Sequence, residues 1–476
     1  MLFGYKILIY VTSNIHKEEF ANFISELNDK LIAQNWRIFT FSSDSDFSRD
    51  DDKNNKNTIG RKKFFELINF DIVDALIISE ARILDQQLKE SLYQKAKSHN
   101  IPVINMGGKD KGNYNICFNQ IIGFEKLVRH IVEDHHVKDL HFIGGTPDSE
   151  ETLLRLEAFK RVLADNNIPF KSNMVSYGYF WDLPTIKVAQ ELIDYGKMPE
   201  AIICANDTMA IAVNSVLERN NIACPEDVIV TGYDGISAIY YSSPKITSVS
   251  CDSRKIANET AEFLFDIMEN APAPYTKYVE PTLYLSESCG CKKKVPTATL
   301  GIVNDVSNSF NRYKQDQTSL DNLSVKIRES KDVNDLIKNL KNKLFYNVIC
   351  VVKEECLDKT KNPELCCTDT PYGEKLFVLL DADSNSETDN RPITLKELVP
   401  RMQSLLEDYK HPLIFAPIND ADIPLGYLCF CFLNYDKQNF AKVHQTSFWL
   451  GRAISEYRYK QYQEYLQQII QDFRKK

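Results

Sequence analysis

The sequence predicts a two-lobed α/β protein with parallel sheets, followed by a smaller α+β domain and a terminal helix. Three observations lead there. From Lys6 to about Ser286, short apolar runs alternate with segments of helical period. Past residue 288 that alternation stops and a polar stretch intervenes. Beyond it, apolar runs return, separated by turn residues rather than by helices. Strands apolar on both faces and spaced by amphipathic helices are the sequence form of parallel sheets covered on both sides; strands joined by loops form antiparallel ones. At 476 residues the chain is too long for one ordinary core, so two or three domains are expected.

The first lobe takes the series KILIYV, EEFANFISELNDKLIAQN, RIFTF, RKKFFELI, VDALIIS, LDQQLKESLYQKAKSHN and IPVINM. The second begins at LHFIGG and continues with ETLLRLEAFKRVLADNN, MVSYG, IKVAQELIDYG, EAIICAN, TMAIAVNSVLERNN and VIVTGYD. Two such lobes imply a cleft. In open parallel sheets, ligands gather outside the carboxyl ends of the strands, where helix N-termini present unpaired amides. Asn206 stands at such a junction, between an apolar strand and the helix opening at Asp207-Thr208. Residue chemistry alone leaves two readings: a helix cap contributing about 1 kcal/mol, or a side chain that faces a ligand.

Composition narrows the function classes. A net charge of −9 argues against broad, sequence-independent binding to nucleic acid. The N-terminal apolar run is far shorter than a signal sequence or membrane span needs, and no later stretch approaches spanning length. A cytoplasmic protein without a membrane partner is expected, its twelve cysteines reduced and mostly buried as small hydrophobes. The acidic stretch DSDFSRDDDKNNKN at residues 44–57 is expected to be a surface loop. The eight histidines are scattered, and there is no nucleophile elbow, phosphate-cradling loop or zinc helix. The Gly144-Gly145 turn is too sparse for a dinucleotide fingerprint. Binding rather than catalysis is therefore expected, with no catalytic residues, no cofactor and no metal.

The run CANDTMAIAVNSVLERNNIACPEDVIVTGYDGISAIYYSSPKITSVSCDSRKIANETAEFLFDIM resembles the effector-binding domain of the lactose and galactose repressor family, relatives of periplasmic sugar-binding proteins. Upstream, LLRLEAFKRVLADNNI is similar to the family's Arg-x-x-Gly-Phe helix, and the resemblance covers residues 6–286. It implies a polar ligand clamp of Arg155, Asn206 and Asp234, with Phe180 where the family presents an aromatic ring to a sugar face. A buried sugar needs every hydroxyl paired, which planar guanidinium, carboxamide and carboxylate groups do well. Each has a plainer reading: a structural ion pair for Arg155, turn chemistry for Asp234, core packing for Phe180 or Trp181. Asp252 and Arg254 are expected to fix a helix cap and interlobe contacts. The sequence departs from the family in Gly107, where an Asp is usual, and in Asn119-Gln120, where Asp-Asn is usual. The first strand begins at Lys6, leaving no room before it for the family's helix-turn-helix, so no direct DNA binding is expected.

The ligand-binding domain is assigned to residues 1–288 and a linker with a connecting helix to 289–331, the long helical pattern itself running over about 306–344. Within the linker, Ser288-Cys289-Gly290-Cys291 offers one Cys-x-Cys with no matching pair nearby, weak support for zinc. Residues 332–457 carry FYNVICVV, KLFVLLDA, HPLIFAPI and PLGYLCFCFLNY, and PLIFAPINDADIPLGYLCF resembles the last strands of a GAF domain. Cys429 and Cys431 would share one strand face and pack. Residues 458–476 form a terminal helix whose Tyr459, Tyr462, Leu466, Ile469 and Phe473 suit a two-helix coil, and hence a homodimer. The expected function is a sensor for a small polar molecule, with a sugar as one candidate. It would relay binding through the GAF-like domain towards an output such as a diguanylate cyclase or kinase. The alternatives are a transcriptional regulator acting through a DNA-binding partner and a dimerisation scaffold with a vestigial cleft.

Overall fold

The computed structural model describes residues 2–13, 15, 18–43, 56–79, 83, 85–108, 112–196, 198–292, 314, 318, 321–322, 325–341, 348–365, 372, 375–382, 391–432 and 437–475. In chain order the elements are β1 (Lys6–Thr12), α1 (Glu18–Ile32), β2 (Trp36–Ser42), α2 (Lys56–Lys63), β3 (Ala75–Ser79), α3 (Gln86–Ser98), β4 (Val103–Met106) and β5 (Tyr114–Phe118). Next come α4 (Gln120–Arg129), β6 (Leu140–Gly144), α5 (Glu150–Asp165), β7 (Val175–Tyr177), α6 (Asp182–Asp194), β8 (Ala201–Cys204), α7 (Asp207–Arg219) and β9 (Ile229–Thr231). They are followed by β10 (Ser248–Ser250), α8 (Ser253–Met268), β11 (Thr276–Val279) and β12 (Thr282–Tyr284). The last group is α9 (Val333–Lys341), β13 (Val348–Lys353), β14 (Leu376–Asp381), β15 (Arg391–Ile393), α10 (Met402–Asp408), β16 (Leu413–Asp420), β17 (Ile423–Cys431) and α11 (Lys437–Lys475).

These elements form two compact units. The first comprises Met1–Ile116, Ala257–Lys277 and Phe310–Lys476. Among the described residues its sheet has eleven strands in the order β11-β5-β4-β3-β1-β2-β16-β17-β13-β14-β15. β1 runs parallel to β2 and β3, and β4 pairs in parallel with β3 and β5. The C-terminal strands form an antiparallel set, β16 with β17, β17 with β13, and β13 with β14. The two halves are one sheet, because β16 pairs in parallel with β2 through Leu413↔Phe39, Ile414↔Thr40 and Phe415↔Phe41. All seven residues of β2 are buried. An edge strand this apolar would expose a row of unpaired backbone groups beside a greasy surface, and β16 covers that edge. Phe415 stacks on Phe41 at 4.8 Å between ring centroids and 11° between planes. Arg37, buried, donates from Nε to the Leu406 carbonyl at 3.0 Å.

The compact units therefore follow other bounds than the segments expected from sequence: residues 332–457 share a sheet with the first lobe. β5 was not foreseen. The connecting helix expected over 306–344 lies largely outside the described residues; where described, it breaks at Ser330 and restarts at Val333 as α9. Asp332 accepts from the Asp335 amide at 2.9 Å at that restart. Most of the expected acidic loop, residues 44–55, also lies outside the described residues. The terminal helix is part of α11, which buries Phe440, Val443, Leu450, Ala453, Ile454 and Tyr457 but leaves Leu466, Ile470 and Phe473 exposed.

The second unit comprises Cys117–Ile256 and Tyr278–Ser309. Its four-stranded parallel sheet has the order β7-β6-β8-β9, and β10 pairs antiparallel with β12 beside it. Phe142, on β6, packs against Phe124 of α4 and Phe159 of α5, each at 5.6 Å between centroids. All three rings are fully buried, so α4 and α5 together cover the face of the sheet to which Phe142 points. Among the described residues, no helix is long and apolar enough to cross a membrane.

Candidate ligand site

The segments that follow β8 and β9 meet at Arg155. α5 starts at a Ser149 cap, whose hydroxyl accepts from the Thr152 amide at 3.2 Å, and its next turn delivers Arg155 into the interior, where it is 5% exposed. One guanidinium nitrogen donates to the Ala205 carbonyl at the end of β8. The other lies 3.4 Å from the Gln120 Oε1 and 3.6 Å from the Asp234 carboxylate. The guanidinium sits over the Tyr233 ring at 4.2 Å and 6.0 Å from that of Phe180. Such cation–ring contacts hold a charge where water is scarce. Arg155 Nε is buried without a hydrogen-bond partner among the described residues. A buried donor left so costs about 1–3 kcal/mol, which makes it an observation with chemical content.

Asp234 has φ +106°, a conformation side chains rarely adopt, and its side chain is 43% exposed. Its amide donates to the Val249 carbonyl at 2.9 Å, locking the turn to β10. Strain of this kind is kept where the surrounding structure holds it. The holding group is Asp207, which is fully buried. Its carboxylate accepts from the amides of Gly235 at 2.7 Å and Ile236 at 2.9 Å, and from the Ser248 hydroxyl at 2.6 Å. Burial pushes its carboxyl up to about 8, against the pull of those three donors.

Asn206 caps α7, accepting from the Met209 amide at 2.9 Å, and its amide nitrogen donates to the Phe180 carbonyl at 3.3 Å. Asn206 thus starts the helix, one of the two roles its sequence position left open, while Asp207 ties down the loop beside Arg155. The tip of the Phe180 ring lies against Gly145: a Cβ added there would stand 2.0 Å from Cζ. Tyr179 and Phe180 both have positive φ, at 57° and 64°, so the turn before α6 aims the ring inward while Trp181 stays 62% exposed. Asp252 accepts from the Arg254 amide at 2.9 Å, consistent with capping α8.

All four residues singled out in the sequence therefore stand in one neighbourhood of the second unit. Sequence reasoning missed three others. Gln120 was noted only as a departure from the family's pattern, yet it reaches Arg155. Tyr233 carries the guanidinium, and burial raises its hydroxyl above the ordinary range. Asp207 was visible as the acid of Ala-Asn-Asp. Elsewhere in this unit, donor atoms of His130, His135, Cys289 and Cys291 lie within 4.8 Å of one another. No matching pair was expected near the Cys-x-Cys in sequence; the two histidines beside it come from far upstream.

Residues 128–289 match the family model of the periplasmic binding protein-like domain. Among curated relatives, the HTH-type transcriptional repressor PurR of Vibrio atlanticus is 28% identical over 183 residues, covering 38% of this chain and 54% of that protein. PurR of Aliivibrio fischeri (strain MJ11) is 24% identical over 249 residues, covering 52% and 70%. The chain thus spans about half the length of the first of these relatives. Among solved structures, a LacI-family regulatory protein from Chloroflexus aggregans is 19% identical with a TM-score of 0.49, covering 60% of this chain and 98% of that one. The CelR–cellobiose complex is also 19% identical with a TM-score of 0.47, covering 60% and 86%. The chain carries a periplasmic-binding-protein-like α/β fold with parallel sheets.

Proposed function

We propose that the protein is a ligand-responsive transcriptional regulator whose second unit grips a small polar molecule through Arg155, Asp234, Phe180 and Gln120. Arg155 carries the reading. A buried guanidinium with an unused Nε, beside a half-exposed carboxylate and an aromatic ring, pairs with a polyhydroxylated or anionic guest. Asn206 contributes by fixing the Phe180 turn. The alignment with HTH-type repressors supports a role in transcription, and it removes support for the expectation that the protein makes no contact with DNA. A cytoplasmic location and action without catalysis follow from the same reading. The test is a thermal-shift screen of the full chain against sugars, sugar phosphates and nucleobases. At a hundredfold excess over Kd a true ligand stabilises by about 2.7 kcal/mol. Arg155→Met should remove the shift while the unliganded protein still melts cooperatively. A ligand whose shift survives Arg155→Met would place binding elsewhere.

A second reading is favoured by one observation, the sheet that joins β2 to β16. A sensor that relays binding through a GAF-like segment to a paired terminal helix would use that connection, and the exposed Leu466, Ile470 and Phe473 suit helix pairing. Sedimentation of Leu466→Glu/Phe473→Glu against the parent distinguishes the two. Loss of dimer with ligand binding intact supports the relay; a parent that is monomeric removes it.

A further inference from the structure

The Ser-Cys-Gly-Cys segment closes the second unit. Cys289 ends a tight turn spanning Glu287–Cys289, and Gly290 at φ +85° reverses the chain so that both sulfurs face the same side. Cys289 is 2% exposed and Cys291 is at the surface, both as free thiols. Opposite them, α4 continues into a π-helical turn, His130–Asp134, and the His135 amide donates to the His130 carbonyl at 3.3 Å. This wider turn brings residues five apart onto one face, so the two imidazoles meet at 4.7 Å between centroids with perpendicular planes.

The donor atoms are close to the spacing of a coordination shell, all within 4.8 Å of one another. Cys291 Sγ lies 3.4 Å from Nε2 of His130 and 3.4 Å from Nε2 of His135, and those two nitrogens are 3.1 Å apart. A tetrahedral ion with bonds of about 2.3 Å to sulfur and 2.0–2.1 Å to nitrogen requires ligand separations of roughly 3.3–3.8 Å. Two supporting contacts match how metal ligands are held. His130 Nδ1 is 2.7 Å from the Asp134 carboxylate, which fixes the tautomer with Nε2 bare and turned to the sulfurs. Thr247 Oγ1 donates to Cys289 Sγ at 3.0 Å, a bond that favours thiolate.

We propose that His130, His135, Cys289 and Cys291 bind one zinc ion as a closed Cys2His2 site that staples the end of α4 to the end of the second unit. Four protein ligands leave no open position, so the role is structural. Two thiolates balance the dication, and binding releases their protons.

The test uses the full chain without a histidine tag, purified under reducing conditions. Elemental analysis should find one zinc per chain, and X-ray absorption should find two sulfurs and two nitrogens around it. Replacement by Co2+ should give the intense visible d–d bands of a tetrahedral thiolate site. Cys291→Ser combined with His135→Ala changes residues at or near the surface and should abolish both signals. Asp134→Asn, whose side chain is 69% exposed, should weaken affinity about 10- to 100-fold while leaving stoichiometry at saturation unchanged. Reduced protein that holds no zinc and gives no Co2+ spectrum overturns the proposal. So does zinc retained in full by the double variant, since the metal would then lie elsewhere.

Discussion

Asp207→Ala isolates the group that shapes the ligand loop. The carboxylate accepts from three donors, the amides of Gly235 and Ile236 and the Ser248 hydroxyl. A hydroxyl can rotate towards another acceptor, but the two amides are fixed by the backbone. A buried donor without a partner costs about 1–3 kcal/mol, so the alanine variant should lose about 2–6 kcal/mol. Asp207→Asn supplies an oxygen for both amides and a donor for Ser248, and should lose about 1 kcal/mol or less. Hydrogen exchange read by mass spectrometry on the peptide over residues 229–240, with urea midpoints of the full chain, measures both. The pH profile adds a sign. The folded carboxyl holds its proton up to about 8 and the unfolded one releases it near 3.8, so the folded state binds more protons between those values. This contribution to stability is complete below the unfolded value and is lost as pH rises through the folded one. Asp207→Asn should flatten that slope. Unchanged protection of residues 235 and 236 in Asp207→Ala, or an identical slope in Asp207→Asn, would refute the reasoning.

Three further outcomes are expected. Gly145→Ala should cost about 1–3 kcal/mol by driving a methyl into the Phe180 ring, and Gly145→Ala/Phe180→Ala should show a non-additive, smaller combined loss than the two singles summed, in denaturant melts. His141 is buried, 2.9 Å from the Ser176 hydroxyl, and desolvation lowers it to about 4. Its unfolded form protonates first, so stability present above about 6.5 should fall as pH drops towards 4. His141→Asn should remove this loss, and because it opposes the Asp207 trend the two variants must be titrated separately. Phe415→Ala, in a fully buried ring stacked on Phe41, should cost about 3–5 kcal/mol and raise exchange in both β2 and β16.

The central strands of both lobes were legible because each is a short apolar run bounded by helical periodicity; β5, β11 and β12, only partly buried, carry no such signal and were missed. Nor was the pairing of β2 with β16 legible. Local period says which face of RIFTF is apolar, but nothing in it says which distant strand will lie beside it. The site divides the same way. Arg155, Phe180, Asn206 and Asp234 were found through the resemblance to the repressor family, on its helix and strand-end motifs, and the structure brings them together. The part played by Asp207 escaped, because Asn and Asp cap helices equally well and only the position of the 234–236 loop separates them. The four zinc-ligand residues were hidden by sequence distance: Cys289 and Cys291 look unpaired until the fold returns them to His130 and His135.

The junction of β2 and β16 has a consequence for biosynthesis. Phe39 emerges from the ribosome long before its partner Leu413 exists. Throughout that interval the first half of the sheet has an open, apolar flank that can recruit any other nascent chain. Expression yield should therefore depend steeply on chaperone supply, and products truncated ahead of Leu413 should accumulate in inclusion bodies.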